Sequence, residues 1–293
     1  MHIPDFNYHK PSSMQEACRI LSESPDGVPL AGGTDLLVEM KQGFRKHRDI
    51  VSLTAIEELK SVHQDATHIF VGATVTHNEI VASPVIKESF PAIAETAATI
   101  GTDQVRNTGT IGGNLCTGAS CCDMAPILMA LNAHVEICSS TKIRTVPLNK
   151  FFNSHRKTCI EKGEVLIKII VPLDQAGTGA CFEKFGLREA ASISVASVAV
   201  AMGMKDGICA NARVVIGAVA PTPKISAAAS DLLMGKRISE LSEDSSIVKL
   251  ACEAAAADSR PIDDLRGGAD YRQHLIKVLT KRAVTKAMYR AST

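Results

Sequence analysis

Tryptophan is absent from this 293-residue chain and tyrosine occurs three times, which argues against stacking platforms for bases or sugars. Blocks of like charge are also missing. The 32 Lys and Arg and 31 Asp and Glu give a net charge of +1, so the broad positive field of a nucleic-acid binder is not there. Apolar runs such as SVASVAVAMGM at 194–204 stop well short of the ~20 residues that a membrane span needs. No positive, apolar, small-residue cleavage pattern stands at the N-terminus. With nine cysteines in a chain of this length, the expectation is a reduced, cytoplasmic protein without structural disulfides, and neither nucleic acid nor membrane is an expected partner.

Common site signatures are missing too. No G-x-G-x-x-G follows a strand, and MGKRIS around Gly235 lacks both the first glycine of a P-loop and a Ser or Thr directly after its lysine. H-E-x-x-H and G-x-S-x-G do not occur, which removes the zinc-protease and nucleophile-elbow readings. His63, His68 and His77 straddle a strand without ligand spacing. Cys116, Cys121 and Cys122 form C-x4-C-C, a poor geometry for one tetrahedral ion or a cluster. No metal ligand and no catalytic acid or base is assigned.

What the chain does have is two glycine pairs about 80 residues apart, in PLAGGTDLLVEM (29–40) and NTGTIGGN (107–114). Glycine permits positive φ and close approach of another group. Two such turns, with Thr34, Thr110 and Asn114 as side-chain donors and a helix start after Gly33, suit one diphosphate. The alternative is that each pair only makes a tight turn.

Around these turns the chain reads as α/β at first. Ser13 and Glu16 open a helix carrying Met14, Ala17, Cys18 and Leu21. VPLAG and DIVSL (49–53) read as strands. HIFVG reads as a strand followed by a turn, and Ser83 and Pro84 start helix over 84–100, stopped by Gly101. DMAPILMAL reads as a helix, with Asp123 eligible as its N-cap. HVEIC, IRTVPL and EVLIKIIVP read as strands, the last ending at Pro172, and LDQAGTGA (173–180) reads as a linker. Beyond it, two long strand runs flank Asp206-Gly207, a hairpin signal. Helical stretches follow at 224–234 and 246–258, and a last one carries Tyr271, Leu275, Val278 and Leu279. Strands first and helices after indicate an α+β domain.

PLAGGTDLL, VGATVTHNEI, QVRNTGTIGGNLCTGASCCDMAPILMAL and the C-terminal YRQHL resemble the FAD-binding subunit of the molybdenum-containing hydroxylases, the group of xanthine, carbon monoxide and nicotinate dehydrogenases. The resemblance implies an α+β fold: a two-subdomain FAD-binding domain of the vanillyl-alcohol-oxidase type over 1–175, divided at about 56/57, and a small C-terminal α+β domain over 176–293. It implies that Pro29, Leu30, Ala31, Gly32, Gly33, Thr34, Asp35 and Leu36 surround the FAD diphosphate, with Thr110, Ile111, Gly112, Gly113 and Asn114 as a second cradle whose bareness lets backbone N–H groups reach phosphate. Ile100 and Gly101 would lie beside the flavin, Asp123 would anchor the adenosine ribose, Leu166 or Ile167 would make an apolar cofactor contact, and Lys184 would lie near the flavin.

The implied partners are a subunit with [2Fe–2S] clusters and a subunit with the molybdopterin cofactor, with NAD(P)⁺ as one acceptor. The implied activity is transfer of electrons from those clusters through FAD during hydroxylation of a heterocycle or aldehyde, such as a purine or nicotinate. A stand-alone FAD oxidoreductase of the same fold, or a nucleotide-binding assembly subunit without catalysis, are the other readings.

Overall fold

In the computed structural model, which describes residues 3–175 and 178–292, three larger sheets of different character are built in chain order. The first is parallel and three-stranded, with Asp49–Ser52 between Asn7–His9 and Val28–Leu30. Parallel neighbours need crossovers, supplied here by helices Met14–Glu23 and Leu36–Lys41. The Ser13 hydroxyl accepts from Glu16 N, while the Glu16 carboxylate receives the N–H of Ser12, so the cap closes one residue earlier than a standard box. Met14, Ala17, Cys18 and Leu21 are all buried, as their spacing requires.

The second sheet is antiparallel, in the order Val62–Gln64, His68–Gly72, Val165–Pro172, His134–Cys138, Ile143–Pro147. The turn read after His68–Gly72 leads into a helix, His77–Ala82, held by a capping box between Thr76 and Glu79. Helix over 84–100 is split at Phe90 into Pro84–Ser89 and Pro91–Ala98. Pro91 has no N–H to donate and forces its predecessor out of the α region, and Phe90 sits at φ −141°, ψ 69°. A small hairpin, Phe152–Ser154 with Lys157–Thr158, adds to the expected strands.

Gly179–Gly186, Ser194–Lys205, Ile208–Gly217 and Lys224–Ser226 form the third sheet, antiparallel throughout. Asp206 and Gly207 both take positive φ, 52° and 74°, the pair of left-handed residues that a tight hairpin demands. Helices Ala227–Leu233, Ser246–Asp258 and Ala269–Ser292 share a core with this sheet. In the last helix Leu275 and Leu279 are buried as expected, whereas Tyr271 is exposed and Val278 half-buried. The stripe instead runs through Ile276, Ala283, Val284 and Ala287.

The α+β organisation is therefore the one expected. The linker over 173–180 and the boundary at 175/176 include residues 176 and 177, which lie outside the described residues. All nine cysteines are free thiols. Among the described residues no helix is long and apolar enough to cross a membrane, and no cluster of His, Cys, Asp or Glu could hold a metal ion.

Helix Met124–Ala130 is buried at every position and belongs to one core with Val135 and Ile169 of the second sheet and Ala199 and Val215 of the third. Deleting the Ile127 side chain beyond Cβ leaves a cavity between the two sheets. Ile127→Ala is expected to lower stability by about 2–5 kcal/mol, read as a fall in the urea midpoint followed by far-UV circular dichroism.

Candidate cofactor site

The strand Val28–Leu30 delivers the first glycine pair to the wall of a cavity of about 620 Å³. Residues 29–36 all line it. Gly33 has φ +71°, and a Cβ on Gly32 would stand 1.8 Å from the carbonyl oxygen of Thr108. Only glycine lets this turn lie directly on the Thr108–Gly109 segment. The second pair follows that segment, in the helix Ile111–Cys116, with Thr110 as N-cap.

The two turns treat their amides differently. Ile111 N–H donates to Val75 O at 3.0 Å, Gly112 N–H to Ala73 O at 2.9 Å and Asn114 N–H to Thr110 O at 2.9 Å. Gly113 N–H donates to the Thr110 hydroxyl at 3.0 Å. These donors are committed to the protein, so the second turn does not offer a row of backbone N–H groups. Its bareness has another cause: a Cβ on Gly112 would meet Ala73 O at 2.6 Å and Ala73 Cβ at 2.7 Å. By contrast, the amides of Gly32, Gly33, Thr34, Asp35 and Leu36 meet no protein acceptor among the described residues. Five consecutive unpaired donors on a cavity wall call for an external acceptor.

Thr110, Gly112, Gly113 and Asn114 line the cavity, and Ile111 is buried behind it. The Asn114 Oδ1 accepts from the Cys122 thiol at 3.0 Å and from Met124 N at 3.4 Å, which leaves its amide nitrogen free to donate. Ile100, Gly101 and Leu166 also line the cavity, whereas Ile167 does not. The strand bulges between Leu166 and Lys168, and Ile167 turns instead to the core under the first sheet.

Asp123 lines the cavity but is only 7 % exposed. Its Oδ2 accepts from Lys184 Nζ at 2.7 Å and its Oδ1 from the Ser194 hydroxyl at 2.5 Å. No cap bond to the following helix forms, so the N-cap alternative is not realised. Burial pushes the Asp123 carboxyl above its ordinary range, and Lys184 and Ser194 pull it back. Lys184 also donates to Thr99 O at 2.8 Å. Although it stands on an edge strand, its side chain is turned inward and only 14% exposed, and Asp123, Ile100 and Gly101 share the cavity wall with Ala191, Ser192 and Ile193 of the third sheet's first hairpin.

Some cavity residues had no role in the sequence reading. Arg45 and Arg156 both pair with Glu39, the first at 2.8 Å across six residues and the second from 117 residues away, where no local pattern shows it. His77 has no zinc-ligand spacing, but the capping-box spacing of Thr76 and Glu79 puts it at a helix start. It is 2 % exposed and lines the cavity.

Known proteins resemble the chain over its length. A family profile described as the FAD binding domain in molybdopterin dehydrogenase matches residues 4–174, and one described as the CO dehydrogenase flavoprotein C-terminal domain matches residues 180–287. The chain belongs to this flavoprotein family. It is 33% identical over 290 residues to the carbon monoxide dehydrogenase medium chain of Hydrogenophaga pseudoflava, covering 99% of both chains. A solved structure of carbon monoxide dehydrogenase from that organism superposes with a TM-score of 0.94 at 34% identity, again over 99% of each chain. Quinoline 2-oxidoreductase from Pseudomonas putida 86 superposes with a TM-score of 0.93 at 30% identity, over 100% of each chain. As a member of the family, the chain is an FAD-binding oxidoreductase subunit.

The buried histidine makes a pH signature. Burial, and after it the Arg106 guanidinium, lower the His77 imidazole from 6.5 to about 4. The unfolded ring takes a proton as the pH falls below its ordinary value, and the folded ring resists until the lower one. Stability is whole above the unfolded value, falls through that window and levels off below the folded one, a loss of roughly 3 kcal/mol. In the cofactor-free chain, His77→Gln is expected to flatten the fall in urea midpoint between neutral pH and about pH 4.5; an unchanged fall would place the titrating group elsewhere.

Proposed function

We propose that this flavoprotein is the electron-transfer subunit of a multi-subunit molybdenum hydroxylase. It takes electrons from [2Fe–2S] clusters of a partner subunit and passes them through FAD to NAD(P)⁺ or another acceptor, while a molybdopterin subunit hydroxylates a heterocycle or aldehyde such as a purine or nicotinate. The observation that carries the reading is the row of unpaired amides from Gly32 to Leu36 on the cavity wall, which fits the diphosphate of a dinucleotide. Thr34 and the Asn114 amide add side-chain donors from the two turns. Bound FAD supplies the exchange between single-electron and hydride transfer, and the protein's part is to hold and tune it.

Lys184 ties Asp123 to Thr99, next to Ile100, so these groups face the same half of the cofactor. We assign that half to the ring and its ribityl chain, because residues of the C-terminal sheet complete the wall there. A lysine ammonium at this wall stabilises negative charge on the reduced ring. Asp123, a carboxylate with lone pairs beyond those used by Lys184 and Ser194, then accepts from ribityl hydroxyls rather than from the adenosine ribose. Leu166, on another part of the wall, gives the apolar contact.

Purification from the native source should yield a stoichiometric complex with iron, molybdopterin and one flavin per copy of this chain; a lone chain with full dehydrogenase activity would exclude the multi-subunit reading. Gly32→Ala, which drives a methyl group into Thr108 O, is expected to remove flavin absorbance while the C-terminal sheet stays folded by circular dichroism. Wild-type flavin content in that variant would overturn the diphosphate assignment.

A further inference from the structure

His77 stands between the two glycine turns. Its backbone N–H donates to Gly109 O at 3.0 Å, and the bare side of Gly109 faces both the ring carbon Cδ2 of His77, at 3.4 Å from an ideal Cβ, and the Thr34 hydroxyl, at 3.7 Å. His77 lines the cavity, and its Cδ2 edge, which carries Nε2 as neighbour, meets the side of Gly109 that Thr34 also faces. The opposite nitrogen, Nδ1, is fully enclosed and has no hydrogen-bond partner. Nε2 is not enclosed, and no protein group bonds it among the described residues.

A neutral imidazole carries one N–H and one lone pair. An enclosed N–H without an acceptor is the rarer and costlier orphan, so Nδ1 keeps the lone pair and Nε2 the proton. Protonating both would bury a cation that has no carboxylate partner and has the Arg106 guanidinium nearby. What remains is a donor that is not enclosed, on a residue that lines the cavity between the two turns.

We propose that the Nε2–H of His77 donates a hydrogen bond to the diphosphate of the bound cofactor, between the Thr34 and Thr110 turns. This assignment rests on the FAD reading above and adds to it a donor from outside both glycine pairs. Because the ring enters already oriented by its enclosed face, the donor needs no rearrangement on binding.

The test uses the full chain, freed of flavin and titrated with FAD while flavin fluorescence quenching is followed. A hydrogen bond to an anionic group corresponds to a loss of about ten- to hundred-fold in affinity when it is removed. His77→Leu should show that loss, and His77→Gln, whose side-chain amide also donates, should stay close to wild type. In parallel, ¹⁵N-histidine spectra of the wild-type chain should show a protonated Nε2 and a bare Nδ1, with the Nε2 signal moving as FAD is added.

A folded His77→Leu chain with wild-type FAD affinity would overturn the proposal, as would a ring protonated at Nδ1 or an Nε2 signal indifferent to FAD. If His77→Leu does not fold, the wild-type spectra decide alone. Failure of the wild-type chain itself to take up FAD would refute the cofactor reading and this one with it, which separates that result from failure of the histidine alone.

Discussion

The contact of Gly32 with the Thr108 carbonyl is the constraint from which the cavity follows. An ordinary residue would put a methyl group 1.8 Å from that oxygen, a separation no repacking of side chains relieves because the obstacle is backbone. With no Cβ, the turn after the first sheet lies on the segment that leads into the second turn. The second turn in turn sits on Ala73, at the end of His68–Gly72, through Gly112. The turn after the first sheet is thereby set backbone to backbone against the turn that packs on the second, and both turns line the cavity. Conformational freedom matters at Gly33, with its positive φ, but at Gly32 and Gly112 the requirement is room.

The third sheet reaches the same cavity by a different kind of contact. Asp123, on the chain between the second turn and the helix Met124–Ala130, is held by Lys184 and Ser194 from two neighbouring strands. A buried ion pair of this kind adds little net stability, because desolvation offsets most of its attraction. Losing one partner is a different matter, since it strands the other charge. The pair therefore acts on placement more than on stability: it holds the strand Gly179–Gly186 against Thr99 and so sets where the loop through Ala191–Ile193 closes the wall. Apolar packing around Met124–Ala130 supplies the adhesion between the sheets, and the ion pair supplies the register.

Much of this was legible in the sequence where the determining physics is local. Asp206-Gly207 specifies its hairpin because the two positive φ values belong to those residues themselves, and Ser13 and Ser83 cap helices through bonds that span three residues. The hairpin over Phe152–Thr158 escaped notice because Arg156, not a glycine or asparagine, takes its left-handed position at φ 56°. The presence of two glycine turns was equally plain, but the reason for their bareness was not. Thr108 and Ala73 are the atoms that forbid a side chain, and nothing in GGTD or TIGG names them. The same holds for Ile167, whose departure from the cavity depends on a bulge in pairing with His134–Cys138.

Amide accounting separates what the two similar motifs do. The second turn spends its N–H groups on Val75, Ala73 and Thr110, so it is a rigid wall whose offering to a ligand is side-chain chemistry at Asn114. The first turn, held in shape by Gly32 and Gly33, leaves its N–H groups without acceptors. Unpaired backbone donors are tolerated only where water or a ligand meets them, and a rigid neighbour keeps them from folding inward to find a carbonyl of their own. The order of the paired turn is thus what preserves the disposition of the unpaired one. An acceptor that reaches this wall meets donors already in place, and the cost of arranging them falls on folding and not on binding.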